Sequence, residues 1–139
     1  MLRAFPFTIV TLVIYNAVII FSDADLWSDV LFELELFSGV EWAFTWGDLM
    51  VIAGLLILLA EVLRATTIEK KAITNHIVSV VVLLIYAIEF VIVGEAGTST
   101  FFILTVIALV DVLAGVVVTI RLATRDFSYE GHPGFHPHE

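Results

Sequence analysis

Four apolar runs, residues 5–22, 47–65, 73–94 and 100–121, alternate with short polar stretches along the chain. Each approaches or exceeds the ~20 residues that cross the hydrocarbon core of a bilayer at 1.5 Å rise per residue. Helices are expected for all four. A helix pairs its own backbone polar groups inside lipid, whereas a barrel would need short alternating strands, a pattern these runs lack. The predicted fold class is all-α: a four-helix transmembrane bundle over residues 1–126, followed by a His-rich tail, residues 127–139. Pro6, Pro133 and Pro137 all fall outside the helix interiors, and Pro6 suits a first turn, where no amide donor is required.

Within each run, polar or small residues recur at helical spacing. The first carries Thr8, Thr11, Tyr15 and Ser22; the second Gly47, Gly54 and Glu61; the third Asn75, Ser79, Val82, Tyr86 and Glu89. In the fourth, Asp111 lies about halfway along, and Ala108, Ala114, Gly115 and Thr119 share its side. An ionised carboxylate facing lipid at that depth would cost at least ~2.5–3.5 kcal/mol, so Asp111 is expected to face protein or a water-filled cavity. The small residues beside it are those on which membrane helices pack. One such stripe per helix is what a bundle interior requires.

The basic residues decide the predicted orientation. Arg3, Arg64, Lys70, Lys71, Arg121 and Arg125 all fall in the N-terminal stretch, the connection after the second run, or the C-terminal stretch. The positive-inside rule then places both termini in the cytoplasm, and a bacterial cytoplasmic membrane is the expected location. Arg3, the first apolar run and Ser22-Asp23-Ala24 loosely resemble a signal peptide. The run of ~17 residues exceeds the usual 7–15, so a retained helix is expected.

The connection from Asp23 to Trp46 is acidic and aromatic. It carries Asp23, Asp25, Asp29, Glu33, Glu35 and Glu41, with Asp48 just beyond and no base, and it holds Trp27, Trp42 and Trp46, all the tryptophan in the chain. The tryptophans are expected at headgroup level. Asp25–Phe37 is read as a short interfacial helix with Leu26, Val30, Leu31 and Leu34 inward. The alternation Phe32-Glu33-Leu34-Glu35-Leu36 fits a strand as the alternative. Gly94–Thr98 is a tight connection.

Composition narrows the class further. Of 139 residues, 60% are hydrophobic and 15% charged, which places the chain among integral membrane proteins. A net charge of −9 argues against nucleic acid as a partner. The absence of cysteine excludes disulfides, thiolate metal sites and cysteine nucleophiles. There is no nucleophile elbow, no HExxH and no phosphate-binding glycine loop, so neither an enzyme nor a cofactor is expected.

The candidate chemistry is intramembrane. Asp111, Glu89, Glu61, Tyr86, Asn16 and His76 form a possible proton path. Counted from the external side, Glu89 lies ~8 Å in, Asp111 ~16 Å and Glu61 ~21 Å, with His76 near the cytoplasmic end. Proton relays use such ladders. Each member also has a structural alternative. Glu61 with Arg64 makes an ordinary i, i+3 pair whose arginine snorkels. Asp111 can hydrogen-bond Tyr15, Asn16 or Tyr86 and lock helix register, Glu89 can be solvated, and His76 can cap a helix at the interface. His76 and Glu89 lie ~140° apart around their helix, which argues against a single wire.

In the tail, His132, His136 and His138 are candidate metal ligands, since imidazole suits zinc, nickel and copper, but their spacing matches no defined site. The expected function is that of a non-enzymatic structural or accessory subunit, as a homo-oligomer or within a larger membrane complex. The alternative is a proton or cation channel or transporter, with the acidic loop attracting cations.

Overall fold

The computed structural model describes residues 6–22, 24–65 and 72–129. The expectations resting on Arg3, Lys70 and Lys71, and on His132, His136 and His138, lie outside the described residues, as do the side chains of Asn75 and Arg125. The chain is mostly helical, with four α-helices: α1 (Thr8–Phe21), α2 (Trp46–Ala65), α3 (Ala72–Ile92) and α4 (Ser99–Tyr129). Two stretches, Trp46–Arg64 and Ser99–Arg121, are long and apolar enough to cross a membrane. Thr8–Phe21 and His76–Ile92 are apolar but shorter. The 14 residues of α1 rise only ~21 Å, because the chain is still turning at Phe7.

Contacts between side chains fix the directions of the helices. Gly47, at the start of α2, meets Thr100 at the start of α4, so these two run the same way. The start of α1 lies against the end of α2, where the Phe7 N–H donates to Glu61. His76, early in α3, lies against Gly115, late in α4. Thus α1 and α3 run opposite to α2 and α4. The long α4 packs against both α2 and α3, and α1 touches all three.

The inward faces follow the helical stripes closely. Thr8, Thr11 and Tyr15 of α1 are buried, as are Gly47, Gly54 and Glu61 of α2, and Ser79, Val82 and Tyr86 of α3. Phe101, Leu104, Ile107, Ala108 and Asp111 form the buried side of α4. Ser22 departs from the pattern and is exposed, one residue past the end of its helix. Large apolar residues point outward instead, among them Val13, Ile20, Leu56, Leu63, Ile88, Leu113 and Ile120. An interior that mixes apolar side chains with a few polar ones, under an outer surface rich in large apolar side chains, fits association with a membrane.

The acidic connection departs from the expected interfacial helix. Only Ala24–Ser28 makes a helical turn, of the 3-10 kind; β1 (Val30–Glu35) and β2 (Glu41–Thr45) then form an antiparallel hairpin. Phe32 pairs with Phe44, Glu33 with Ala43, Leu34 with Trp42, and Glu35 with Glu41. The alternation explains this outcome. As a strand, it gathers Phe32, Leu34, Trp42 and Phe44 on one face, with Phe32 and Phe44 stacked at 4.9 Å and Trp42 edge-on to Phe44 at 5.6 Å. A helix would have scattered the same residues among the acids. Val30, Leu31 and Leu34 are accordingly exposed rather than inward, and Leu26 is half-buried.

Trp27, unlike the other two tryptophans, turns inward. The 3-10 turn folds it back onto Tyr15, ring centroids 4.7 Å apart and planes within 4°, and leaves it 6% exposed. Trp42 and Trp46 stay exposed. The hairpin passes into α2 through a reciprocal cap. The Asp48 carboxylate accepts from the Thr45 N–H at 2.9 Å and the Thr45 hydroxyl at 2.8 Å, and the Asp48 N–H donates to Thr45 Oγ1 at 3.1 Å.

Candidate functional site

The buried polar residues form three groups at different levels of the bundle. The first lies where the end of α2 meets the start of α1. Glu61 Oε1 accepts the Phe7 N–H at 2.7 Å and lies 3.5 Å from Arg64 Nη2. The Arg64 guanidinium covers the Phe7 ring, 4.3 Å from its centroid. Asp111, projecting from α4, brings its carboxyl within hydrogen-bond reach of Glu61. Glu61 is 4% exposed and Asp111 9% exposed. Among the described residues, Glu61 Oε2 and Asp111 Oδ2 face no donor. One helical turn further along α4, Gly115 leaves room for the His76 ring, whose Nδ1 stands 3.0 Å from where a Cβ would be. That Nδ1 is buried without a partner among the described residues.

The second group is a hydroxyl cluster between α1 and α3. The Tyr86 and Thr11 hydroxyls are 2.8 Å apart, and both reach the Thr8 carbonyl, at 3.3 and 2.7 Å. The third lies toward the hairpin end. There the Asn16 amide serves Glu89 and also donates to the Leu12 carbonyl at 3.1 Å. Beside it the Tyr15 hydroxyl meets Thr98 Oγ1 at 2.5 Å, and Thr98 in turn caps α4 by accepting the Phe101 N–H at 3.1 Å.

Of the six residues expected on a proton path, the fold joins Glu61 to Asp111, sets His76 one turn away, and pairs Asn16 with Glu89. Tyr86 is engaged elsewhere, with Thr11 and Thr8. Tyr15, Asn16 and Tyr86 all have partners other than Asp111, so the expected hydrogen-bond lock is replaced by a carboxyl–carboxyl contact. The Glu61–Arg64 pair has the expected i, i+3 form. Among the described residues no hydrogen bond links one group to the next.

Participants outside the six expected residues include the Phe7 N–H, Thr11 and Thr98. Thr11 stands in the polar stripe of α1, and Thr98, just ahead of an apolar run, carries the signal of a helix cap. The Phe7 N–H has no sequence signal.

A groove of about 280 Å³ between α1 and α2 is lined by Ile14, Val18, Trp27, Trp46 and Met50 among others, with a wholly apolar surface. Among the described residues no cluster of three or more histidines and acids is placed to hold a metal ion. No protein-family model, no curated protein and no solved structure matches the chain.

Proposed function

We propose that this chain is a four-span integral membrane protein with both termini cytoplasmic, working as a non-enzymatic structural or accessory subunit of a membrane assembly. The observation that carries this reading is the hairpin. It leaves Phe32, Leu34, Leu36, Val40 and Trp42 exposed, with Phe37 fully so at the tip, while Glu33, Glu35 and Glu41 occupy the reverse face. A contiguous aromatic face beyond the helix ends is a surface for contact with another protein. The opposed helix directions support the topology. The hairpin enters one end of α2 and Arg64 stands at the other, and Arg121 lies toward that same end because α4 runs parallel to α2.

Native mass spectrometry after mild detergent extraction tests the assembly. The protein is expected to appear with further copies or with a partner, and Phe32→Ser combined with Trp42→Ser is expected to release it. A bare monomer from the native membrane would overturn the reading.

The contact between Glu61 and Asp111 favours a second reading, a proton or cation path through the bundle. Proteoliposomes of purified protein should then pass protons or monovalent cations, and Asp111→Asn should abolish that flux. Equal flux in wild type, variant and empty vesicles would eliminate this reading.

A further inference from the structure

The seam between α1 and α2 is closed at one end of the bundle and parted at the other. Away from the hairpin, the Phe7 N–H bonds Glu61 and holds the two helices together. At the hairpin end the 3-10 turn stands between them. Its Trp27 ring stacks on Tyr15 of α1, and the Trp27 carbonyl oxygen lies 2.7 Å from where a Cβ of Gly47 would be in α2. The parting leaves a groove of about 280 Å³, walled by Ile14 and Val18 on one side and by Leu49 and Ala53 on the other, with Leu26 and Trp27 contributed by the turn. Its lining reaches from Trp46 to Ala53, ~10 Å along α2 and about a third of the hydrocarbon thickness of a bilayer.

We infer that this groove binds one acyl chain of a phospholipid whose amine-bearing head is held by the acids at the groove's mouth.

The lining decides the occupant. The groove presents no polar surface, so water inside it would lack hydrogen-bond partners, and an irregular peptide segment would leave its backbone unpaired. A hydrocarbon chain needs neither. Ile14 and Leu49 are also exposed on the outside of the bundle, so the groove is continuous with the apolar surface that lipid would cover. A chain can enter sideways without leaving the bilayer. Moving from lipid into the groove brings no hydrophobic gain, because both surroundings are apolar. The chain contributes fit, and discrimination among lipids falls to the head.

At the mouth the charges have one sign. Trp46, 40% exposed, marks the headgroup level in the proposed membrane orientation. Its N–H donates to the Asp29 carbonyl at 3.1 Å, which keeps Asp29 beside the groove, and Asp25 precedes Leu26 in the 3-10 turn. Both acids are exposed, and neither forms an ion pair among the described residues. Every charged residue between positions 23 and 46 is an acid, and the 94–98 connection adds only Glu95. An ammonium head is attracted to such a rim; a head whose only charge is its phosphate is repelled.

The inference rests on the reading of the helices as membrane spans, so its test begins with the full chain in carbonate-washed membranes. A chain that washes off fails the span reading and the site with it. Retained protein is reconstituted in equal parts of phosphatidylethanolamine and phosphatidylglycerol, with a trace of phosphatidylethanolamine carrying a diazirine midway along one acyl chain. After illumination, peptide mass spectrometry locates the adducts. They are expected to concentrate on Ile14, Val18, Leu49 and Ala53, with few on the equally exposed Leu56, Ile88 and Leu113. A phosphatidylglycerol probe with the same chain should label the groove about three- to fivefold less, as expected for a pair of exposed ionic contacts. Asp25→Asn combined with Asp29→Asn should erase that difference, and Ala53→Phe, which fills the groove, should remove the groove adducts alone. Wild-type adducts spread evenly over the outward residues, or equal labelling by the two probes, overturn the proposal while leaving the span reading intact, and need no variant to fold. A head preference that survives the double substitution, or groove adducts undiminished in Ala53→Phe, overturns it equally.

Discussion

Tyr15→Ala is expected to destabilise the protein by about 3–5 kcal/mol, the range for truncating a fully buried aromatic side chain. Tyr15 has no exposed surface and stands at the junction of three elements. Its ring stacks on Trp27 of the 3-10 turn and tilts against Phe101 of α4 at 4.7 Å, while its hydroxyl reaches the residue that caps α4. Phe101 then passes the contact to Tyr86, 5.3 Å away. Truncation removes the ring that holds Trp27 in the core, so the loss includes aromatic pairing of about 0.5–1.5 kcal/mol beyond simple volume. Tyr15→Phe separates the contributions. It keeps the stack and gives up the hydroxyl's contacts with Thr98 and the Glu95 carbonyl, for a cost of about 1 kcal/mol. Unfolding in detergent, followed by circular dichroism and by tryptophan emission in a Trp42→Phe, Trp46→Phe background, checks both variants. A Tyr15→Ala protein that melts with Tyr15→Phe would show that the stack contributes little.

The helices and their inward faces were legible because a 3.6-residue repeat runs through each apolar segment. Gly47, Gly54 and Glu61 stand seven apart, and all three are buried. Asp111 is sheltered on the side of Ala108, as the cost of exposing an acid to lipid demands. The hairpin was harder to read. Six residues of alternating pattern sit among apolar residues that also fit a helix, and only the cross-strand meeting of Phe32 with Phe44 decides for the strand. The inward turn of Trp27 has no local signal for a related reason: its stack on Tyr15 is a tertiary contact.

The site was half legible. Depth along a helix follows from residue count, and the ~5 Å between the expected levels of Asp111 and Glu61 is less than one turn. Which helices stand side by side, and at what rotation, is set by contacts between distant residues. The Phe7 N–H and Glu61 are 54 positions apart, and Thr11 and Tyr86 are 75 apart. No local periodicity encodes such pairings. The acids therefore looked like rungs of one ladder, whereas the fold divides the polar residues into three groups and makes a single unit of two carboxyl groups.

The same reasoning singles out Gly47 as the position least able to accept a side chain. Gly47 is buried in the first turn of α2, where the starts of α2 and α4 and the 3-10 turn converge. A Cβ there would overlap the Thr100 hydroxyl and stand 2.7 Å from the Trp27 carbonyl oxygen. The threonine can rotate away; the carbonyl belongs to the backbone and cannot. Gly47→Ala must therefore push the 3-10 turn off the helix ends, loosening the Trp27–Tyr15 stack as it goes. Overpacking of this kind costs about 1–3 kcal/mol, and a backbone obstacle places Gly47→Ala near the top of that range. Gly94→Ala is the matched control. A Cβ at Gly94 meets nothing within 4 Å, so that variant should stay within about 0.5 kcal/mol of wild type. Melting curves of the two variants in one detergent, with tryptophan emission read alongside in the same Trp42→Phe, Trp46→Phe background, give the comparison. Equal melting would mean that α2, α4 and the 3-10 turn do not converge at Gly47, and the parallel course of α2 and α4 would lose its clearest support.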